Sequence, residues 1–243
     1  MRLPTRLSSL GWLDPITARG YVRKGLVSMW DGIENAGWGI HDSNATVWKD
    51  LVGNADMTLA NNGATYSWAA NALRISQETT TAFSSVGYTA DDSALNALLN
   101  SASGFTVEVV AQKMSSFISS QDRWIDSATN HPFMFQSDRT NSSIICWTGN
   151  NSNYLIKSSI NTTKAFHVAL TQDLSGGKVA YFNGQSYDSN DTAYAVNFTS
   201  IILSNRGGEK LRYCIRIYSR ALAAAEIAAN YAVDVALFNL PTT

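Results

Sequence analysis

The sequence predicts an all-β protein: an antiparallel β-sandwich or jelly roll with a short C-terminal helix. Short runs of alternating apolar and polar residues recur with turn signals about every 8 to 12 residues, the rhythm of stacked antiparallel sheets rather than of strands joined by crossover helices. Charged residues make up only 15% of the 243-residue chain. Ser, Thr and Asn supply the polar surface instead, a trade that favours strands and turns over long exposed helices. Only residues 91–100 and 221–238 have helical character. An apolar share of 45% suits a packed core and excludes a disordered chain.

Residues 1–24 stand apart. Arg2, Arg6, Arg19, Arg23 and Lys24 face a single acid, Asp14, and the segment holds Pro4 and Pro15 but no period of 2 or 3.6. It reads as a basic arm or attachment segment leading into a compact body, or as a strap laid over that body through Leu10, Trp12 and Leu13. The body then runs from 25 to 243. It opens with GLVSMW (25–30), ended by the turn pair Asp31-Gly32, and a Gly- and Asn-rich loop follows. Residues 46–59 hold two short apolar pieces around Gly53-Asn54. In FTVEVVAQ (105–112), Phe105, Val107 and Val109 point one way, and Thr106, Glu108, Val110 and Gln112 the other.

Strands follow at 123–127, 133–138, 144–149 and 153–159. The clearest hairpin is 165–187, with turns at Gly176-Gly177 and Asn183-Gly184. SIILSNR and LRYCIRIY are two more strands. Helix 91–100 has Asp91 or Asp92 as its N-cap, and helix 221–238 places Ile227, Tyr231 and Val235 on one face.

A net charge of -1 removes the electrostatic drive toward nucleic acid. No run of 18 apolar residues exists to span a membrane. The first twenty residues lack the apolar stretch of a secretory signal. Cys146 and Cys214 could form one bridge, but they read as two small buried thiols. Six Asn-x-Ser/Thr triplets follow from composition alone.

Glycoside hydrolysis by paired acids needs two carboxylates about 5 to 9.5 Å apart across the sugar, and on one strand only i and i+2 share a face. Glu108 is the single acid of its strand. Asp122 and Asp126 flank Trp124, and Asp188 and Asp191 sit in a polar turn. Of the three histidines, His167 packs and hydrogen-bonds within a strand, and no Gly-x-Ser-x-Gly elbow accompanies them. The chain is therefore expected not to be an enzyme.

Three segments carry a family resemblance: GLVSMWDGIENAG with TVWKDLVGN, then FTVEVV, then AFHVALTQDLSGGKVAYFNGQ leading through ILSNR to IRIYSRALAAAEIAANY. Over residues 25–238 the chain resembles laminin-G-like, concanavalin-A-like jelly rolls of bacterial surface and phage virion proteins. The closing helix is then expected to press Leu222, Ile227 and Tyr231 against an edge of the sandwich. The resemblance implies display on a virion or extracellular surface; there the basic arm of residues 1–24 is expected to dock the module onto other virion or surface proteins, which predicts a homo-oligomer. It also implies one Ca²⁺ near the opening loop, for which Asp31 and Asp42, with Asn35 and Asp50, supply oxygen donors. Where the family has an acidic pair before its last strand, this chain has Tyr213-Cys214, which offers no charged oxygen to a metal and counts against the family's cation site, so no cofactor is expected and Asp31 and Asp42 stay as the candidate Ca²⁺ ligands.

Sugar recognition combines flat aromatic rings with planar polar groups. Trp147 and Tyr154 flank the polar hairpin TGNNSN, Trp124 lies beside Arg123 and Asp126, and Asp138 follows one strand later. Trp124, Asp138, Trp147 and Tyr154 are therefore the expected ligand-binding residues, bordering a groove on one sheet face. The function expected is a non-catalytic module that binds glycans or cell-surface polysaccharide. The competing reading is a structural or decoration protein of a viral particle; a glycoside hydrolase ranks third.

Overall fold

A computed structural model describes residues 15–77, 84–90, 93–114, 122–127, 133–137, 143–147, 154–192, 197–205 and 208–242. In chain order come α1 (Pro15–Ala18), β1 (Leu26–Asp31), β2 (Val47–Trp48), β3 (Met57–Leu59), β4 (Thr65–Ala69), β5 (Ala72–Gln77) and β6 (Ser84–Thr89). Then follow α2 (Ala94–Asn100), β7 (Gly104–Lys113), β8 (Asp122–Ser127), β9 (Met134–Ser137), β10 (Ser143–Trp147), β11 (Tyr154–Ser158) and β12 (Phe166–Asp173). The chain closes with β13 (Lys178–Phe182), β14 (Gln185–Asn190), β15 (Ile201–Asn205), β16 (Gly208–Tyr218) and α3 (Ala224–Phe238).

The strands form two eight-stranded antiparallel sheets. The first has the order β14-β13-β12-β7-β16-β5-β4, with β1 beside the second half of β16; the second has the order β11-β10-β9-β8-β15-β6-β3-β2. The expected all-β sandwich with a C-terminal helix is the observed architecture. The sequence reading left residues 60–90 without strands, whereas β4, β5 and β6 occupy them. Their Ser-, Thr- and Ala-rich text alternates too weakly in hydropathy to stand out.

Alternation explains the core. On β7, Phe105, Val107 and Val109 point to the second sheet and meet Trp30, Trp48, Trp124, Phe133 and Phe166 in one apolar cluster. Some ring contacts within it are edge-on, as between Trp124 and Phe166 (5.2 Å, 89°) and between Phe105 and Phe198 (5.2 Å, 84°), the arrangement aromatic quadrupoles favour. At one side of the sandwich the Asp188 carboxylate of β14 accepts the edge N–H of Ile156 on β11 (3.1 Å), closing an edge that would otherwise be open to pairing.

The other face of the first sheet is also buried, under a second apolar cluster that joins Val110, Ala169, Tyr181, Tyr213 and Tyr218 to Ile227, Tyr231 and Phe238 of α3 and to Ile16 and Tyr21. This corrects the expected docking of the helix on a sheet edge: α3 covers a sheet face. Its buried residues are Ile227, Asn230, Tyr231, Asp234 and Phe238. Val235 is only half-buried, and two polar residues take places that an apolar stripe would fill. The Glu226 carboxylate accepts the Ala223 N–H at the helix start (2.9 Å), and Asn239 ends the helix at φ 54°.

The Asn183-Gly184 turn is held beneath this helix. Both residues have positive φ (48° and 76°), as a tight hairpin requires. A Cβ on Gly184 would stand 2.7 Å from Cδ1 of Tyr231. Residues 15–24 lie along the same layer: the Tyr21 hydroxyl donates to Asp234 (2.8 Å), the Val22 N–H donates to Asn230 (2.9 Å), and Arg19 pairs with Asp31 and Glu34. Residues 1–14, with Leu10, Trp12 and Leu13, lie outside the described residues.

Candidate functional site

The outer face of the second sheet is the broad sheet face that no helix covers among the described residues. Cross-strand partners share a face, so the registers define a row across all eight strands: Val47, Thr58, Tyr88, Ile202, Asp126, Met134, Trp147 and Tyr154. A parallel row holds Arg123, Gln136, Ile145 and Ile156. Trp147 and Tyr154 are direct partners whose rings stand 5.2 Å apart at 53°. Tyr154 is 47% exposed and Trp147 partly exposed; the Trp147 indole N–H finds no acceptor among the described residues. Two strands away, about 10 Å at the usual strand spacing, Arg123 donates to the buried Asp126 (2.7 Å). Tyr88 and Ile156 add exposed apolar surface to the same face.

The structure thus brings two of the four expected ligand residues together. Trp124 belongs elsewhere. A β-bulge between Arg123 and Ile125 turns both Trp124 and Ile125 inward, so the Trp124 ring is fully enclosed and offers no face to a ligand. Asp138 lies outside the described residues. Sequence reasoning passed over Tyr88 and Ile156 and named Arg123 and Asp126 only as neighbours of Trp124; the face they all share appears only once the register is known.

An extended polar cluster is buried between the first sheet and α3. Arg216 of β16 donates from Nε to Glu108 of β7 (2.7 Å) and from both terminal nitrogens to Asp234 of α3 (2.7 Å each). Asn230 donates to Glu108 (2.8 Å), His167 Nε2 lies 3.3 Å from the other Glu108 oxygen, and the guanidinium stacks 4.3 Å from the centre of the Tyr21 ring. Burial pushes the Glu108 carboxyl up, but Arg216 and the His167 hydrogen bond outweigh it, and the net direction is down. Burial pushes the Tyr21 hydroxyl well up, with Asp234 adding to it. A Glu–His contact resembles a proton-transfer pair, yet both side chains are fully enclosed. The cluster can anchor the helix; it cannot reach a substrate.

The donors expected for Ca²⁺ are engaged otherwise. Asp31 is buried and burial raises its pKa, against Arg19 and the Ile33 N–H, which hold one carboxylate oxygen each. Asp42 accepts the Asn44 N–H in an exposed turn (2.8 Å). Asp50 accepts five hydrogen bonds, from Ser28, Met29, Val52, Asn54 and Ala55, and so folds its own turn. The described residues hold no group of three or more His, Cys, Asp or Glu side chains suited to a metal, and this donor set does not fit Ca²⁺. Both cysteines are free and buried; burial pushes the Cys146 thiol up to about 12.

No protein-family model matches the chain, and no curated protein matches it in sequence. Solved structures do match. Trypanosoma rangeli sialidase superposes with a TM-score of 0.62 at 16% identity, over 85% of this chain and 32% of that one. The same sialidase caught as a covalent intermediate with 2,3-difluorosialic acid gives 0.63 at 15% identity, over 89% and 35%. The binding domain of botulinum neurotoxin DC, in complex with rat synaptotagmin II, gives 0.62 at 13% identity, over 86% and 51%. The chain spans about a third of the sialidase and half of the toxin domain.

At these identities the likeness is one of fold, a β-sandwich of jelly-roll type, and it carries neither the laminin-G-like nor the phage assignment. It does overturn one expectation. The chain was expected not to be an enzyme, partly because no opposed acidic pair was seen. The same sandwich lies within an enzyme that forms a covalent intermediate, so the exclusion of catalysis does not stand. No helix among the described residues is long and apolar enough to cross a membrane.

Proposed function

We propose that this chain is a glycan-recognition domain displayed on a virion or cell surface, and that it binds saccharide on the outer face of its second sheet. The observation that carries this reading is the Trp147–Tyr154 pair, two aromatic rings side by side and partly open to solvent, with Arg123 on the same face two strands away. Pyranose rings present a C–H face to such platforms, and a guanidinium fixed by Asp126 is oriented to meet hydroxyl or carboxylate oxygens. The fold neighbours support a recognition role: one is described in complex with sialic acid, another in complex with a protein.

The test is a glycan array that includes sialylated oligosaccharides, followed by calorimetric titration of the strongest responder. Replacing Trp147 and Tyr154 together by Ala should weaken binding at least about tenfold, or about 1.4 kcal/mol, with an unchanged melting temperature. No response on the array, or equal binding by the double variant, would refute the site. Release of free sugar from the same glycans would place the chain among the glycoside hydrolases.

A further inference from the structure

A cleft of about 680 Å³ opens where the C-terminal end of α3 meets the end of the first sheet, within the range of small-ligand pockets. Beneath it lie Tyr213 and Phe238, both buried, whose rings stand 5.4 Å apart. The wall is fixed. Gln112 accepts the Tyr213 hydroxyl hydrogen (2.6 Å) and donates to the Thr163 carbonyl (2.8 Å), and the Tyr231 hydroxyl donates to the Pro241 carbonyl, tying down the chain after α3. Leu240 is buried in the same layer.

Around this floor stand three polar side chains with no internal role. Lys164 forms no ion pair, and the side chains of Asn239 and Thr242 form no hydrogen bond, among the described residues; all three are exposed. Lys164 is the one charged residue among those lining the cleft, so it asks for an anion. The nearby C-terminal carbonyls of α3 carry partial negative charge and disfavour a compact multivalent anion. A single carboxylate on a hydroxylated ring satisfies both conditions. We infer that this cleft binds an acidic sugar, with its carboxylate on Lys164 and its hydroxyls on Asn239 and Thr242, the three exposed polar side chains that line it. The site lies on the first-sheet side of the molecule, away from Trp147 and Tyr154, and does not depend on the function proposed for them.

The experiment titrates the full chain with methyl β-D-glucuronide and, separately, with methyl β-D-glucoside, read by NMR chemical-shift changes. The glucuronide should saturate at about 10 mM, as a millimolar ligand would, and the glucoside should bind about tenfold more weakly. Lys164→Gln should erase the difference between the two sugars and Lys164→Arg should keep it, while Lys49→Gln, at an exposed lysine away from the cleft, should leave both titrations unchanged. Absence of saturation, equal binding of the two sugars by the native chain, an undiminished preference in Lys164→Gln, or an equal loss of preference in Lys49→Gln would each overturn the assignment.

Discussion

Replacing Arg216 by Met tests whether the buried ion cluster holds α3 to the sheet. The guanidinium makes three hydrogen bonds of 2.7 Å to two carboxylates, Glu108 and Asp234, and all three side chains are fully buried. Without the cation, at least one carboxylate must take up a proton to stay buried. For a group that titrates near 4.5, that costs about 1.36 kcal/mol for each unit between there and pH 7, or about 3.4 kcal/mol. Mutational experience with broken buried ion pairs gives about 3–5 kcal/mol, in agreement. The expected loss is therefore about 4 kcal/mol, which for a chain of this length lowers Tm by about 8–16 °C. Circular dichroism melts at pH 7 and pH 5 measure it. Because the missing interaction is replaced by protonation, the deficit should shrink at pH 5, by up to about 2.7 kcal/mol per carboxylate that must take up a proton. Changing Glu108→Gln and Asp234→Asn alongside Arg216→Met should restore much of the loss, since no buried charge is then left unpaired. A single variant within about 1 kcal/mol of the native chain, or a deficit that grows in acid, would refute the reasoning.

Four further outcomes follow from the same geometry. The depressed Glu108 carboxyl contributes stability that is present above about 4.5 and lost as the pH falls through its folded value, so the Tm of Glu108→Gln should depend less on pH below 4.5 than that of the native chain. Gly184→Ala combines positive φ with a contact against Tyr231 and should cost about 1–3 kcal/mol in chemical denaturation. Tyr21→Phe removes the hydroxyl bond to Asp234 but keeps the ring against Arg216, so a loss of about 1 kcal/mol is expected from the same assay. Neither Cys146 nor Cys214 should react with a thiol reagent in the native state, and both should react on unfolding; fast native labelling would show that the buried thiols are reachable.

Much of the sandwich was legible because period-2 alternation reports which residues share a face. It placed Phe105, Val107 and Val109 opposite Thr106 and Glu108, and the Asn-Gly pair marked its turn. Alternation does not report whether the second face is also covered. Glu108 was therefore read as the single acid of its strand, when Arg216 of the neighbouring strand completes it beneath a helix whose own buried stripe includes Asn230 and Asp234. Trp124 was misplaced for a different reason: one extra residue in the strand reverses the facing of everything beyond it, and nothing in the text RWIDS announces a bulge. Trp147 and Tyr154 were named together because they flank the polar stretch TGNNSN, and the register makes them direct cross-strand partners. The cation implied by the resemblance rested on the acidic residues of the opening loop, while their hydrogen bonds to Arg19, Ile33 and Asn44 depend on a backbone path that residue types do not contain.

The strap of residues 15–24 and the closing helix lie together on one side of the molecule, and the Trp147–Tyr154 platform occupies the opposite side. A partner held on the helical side would leave the aromatic rings facing outward, toward whatever approaches, and the thickness of the whole sandwich would separate the anchor from the surface it presents.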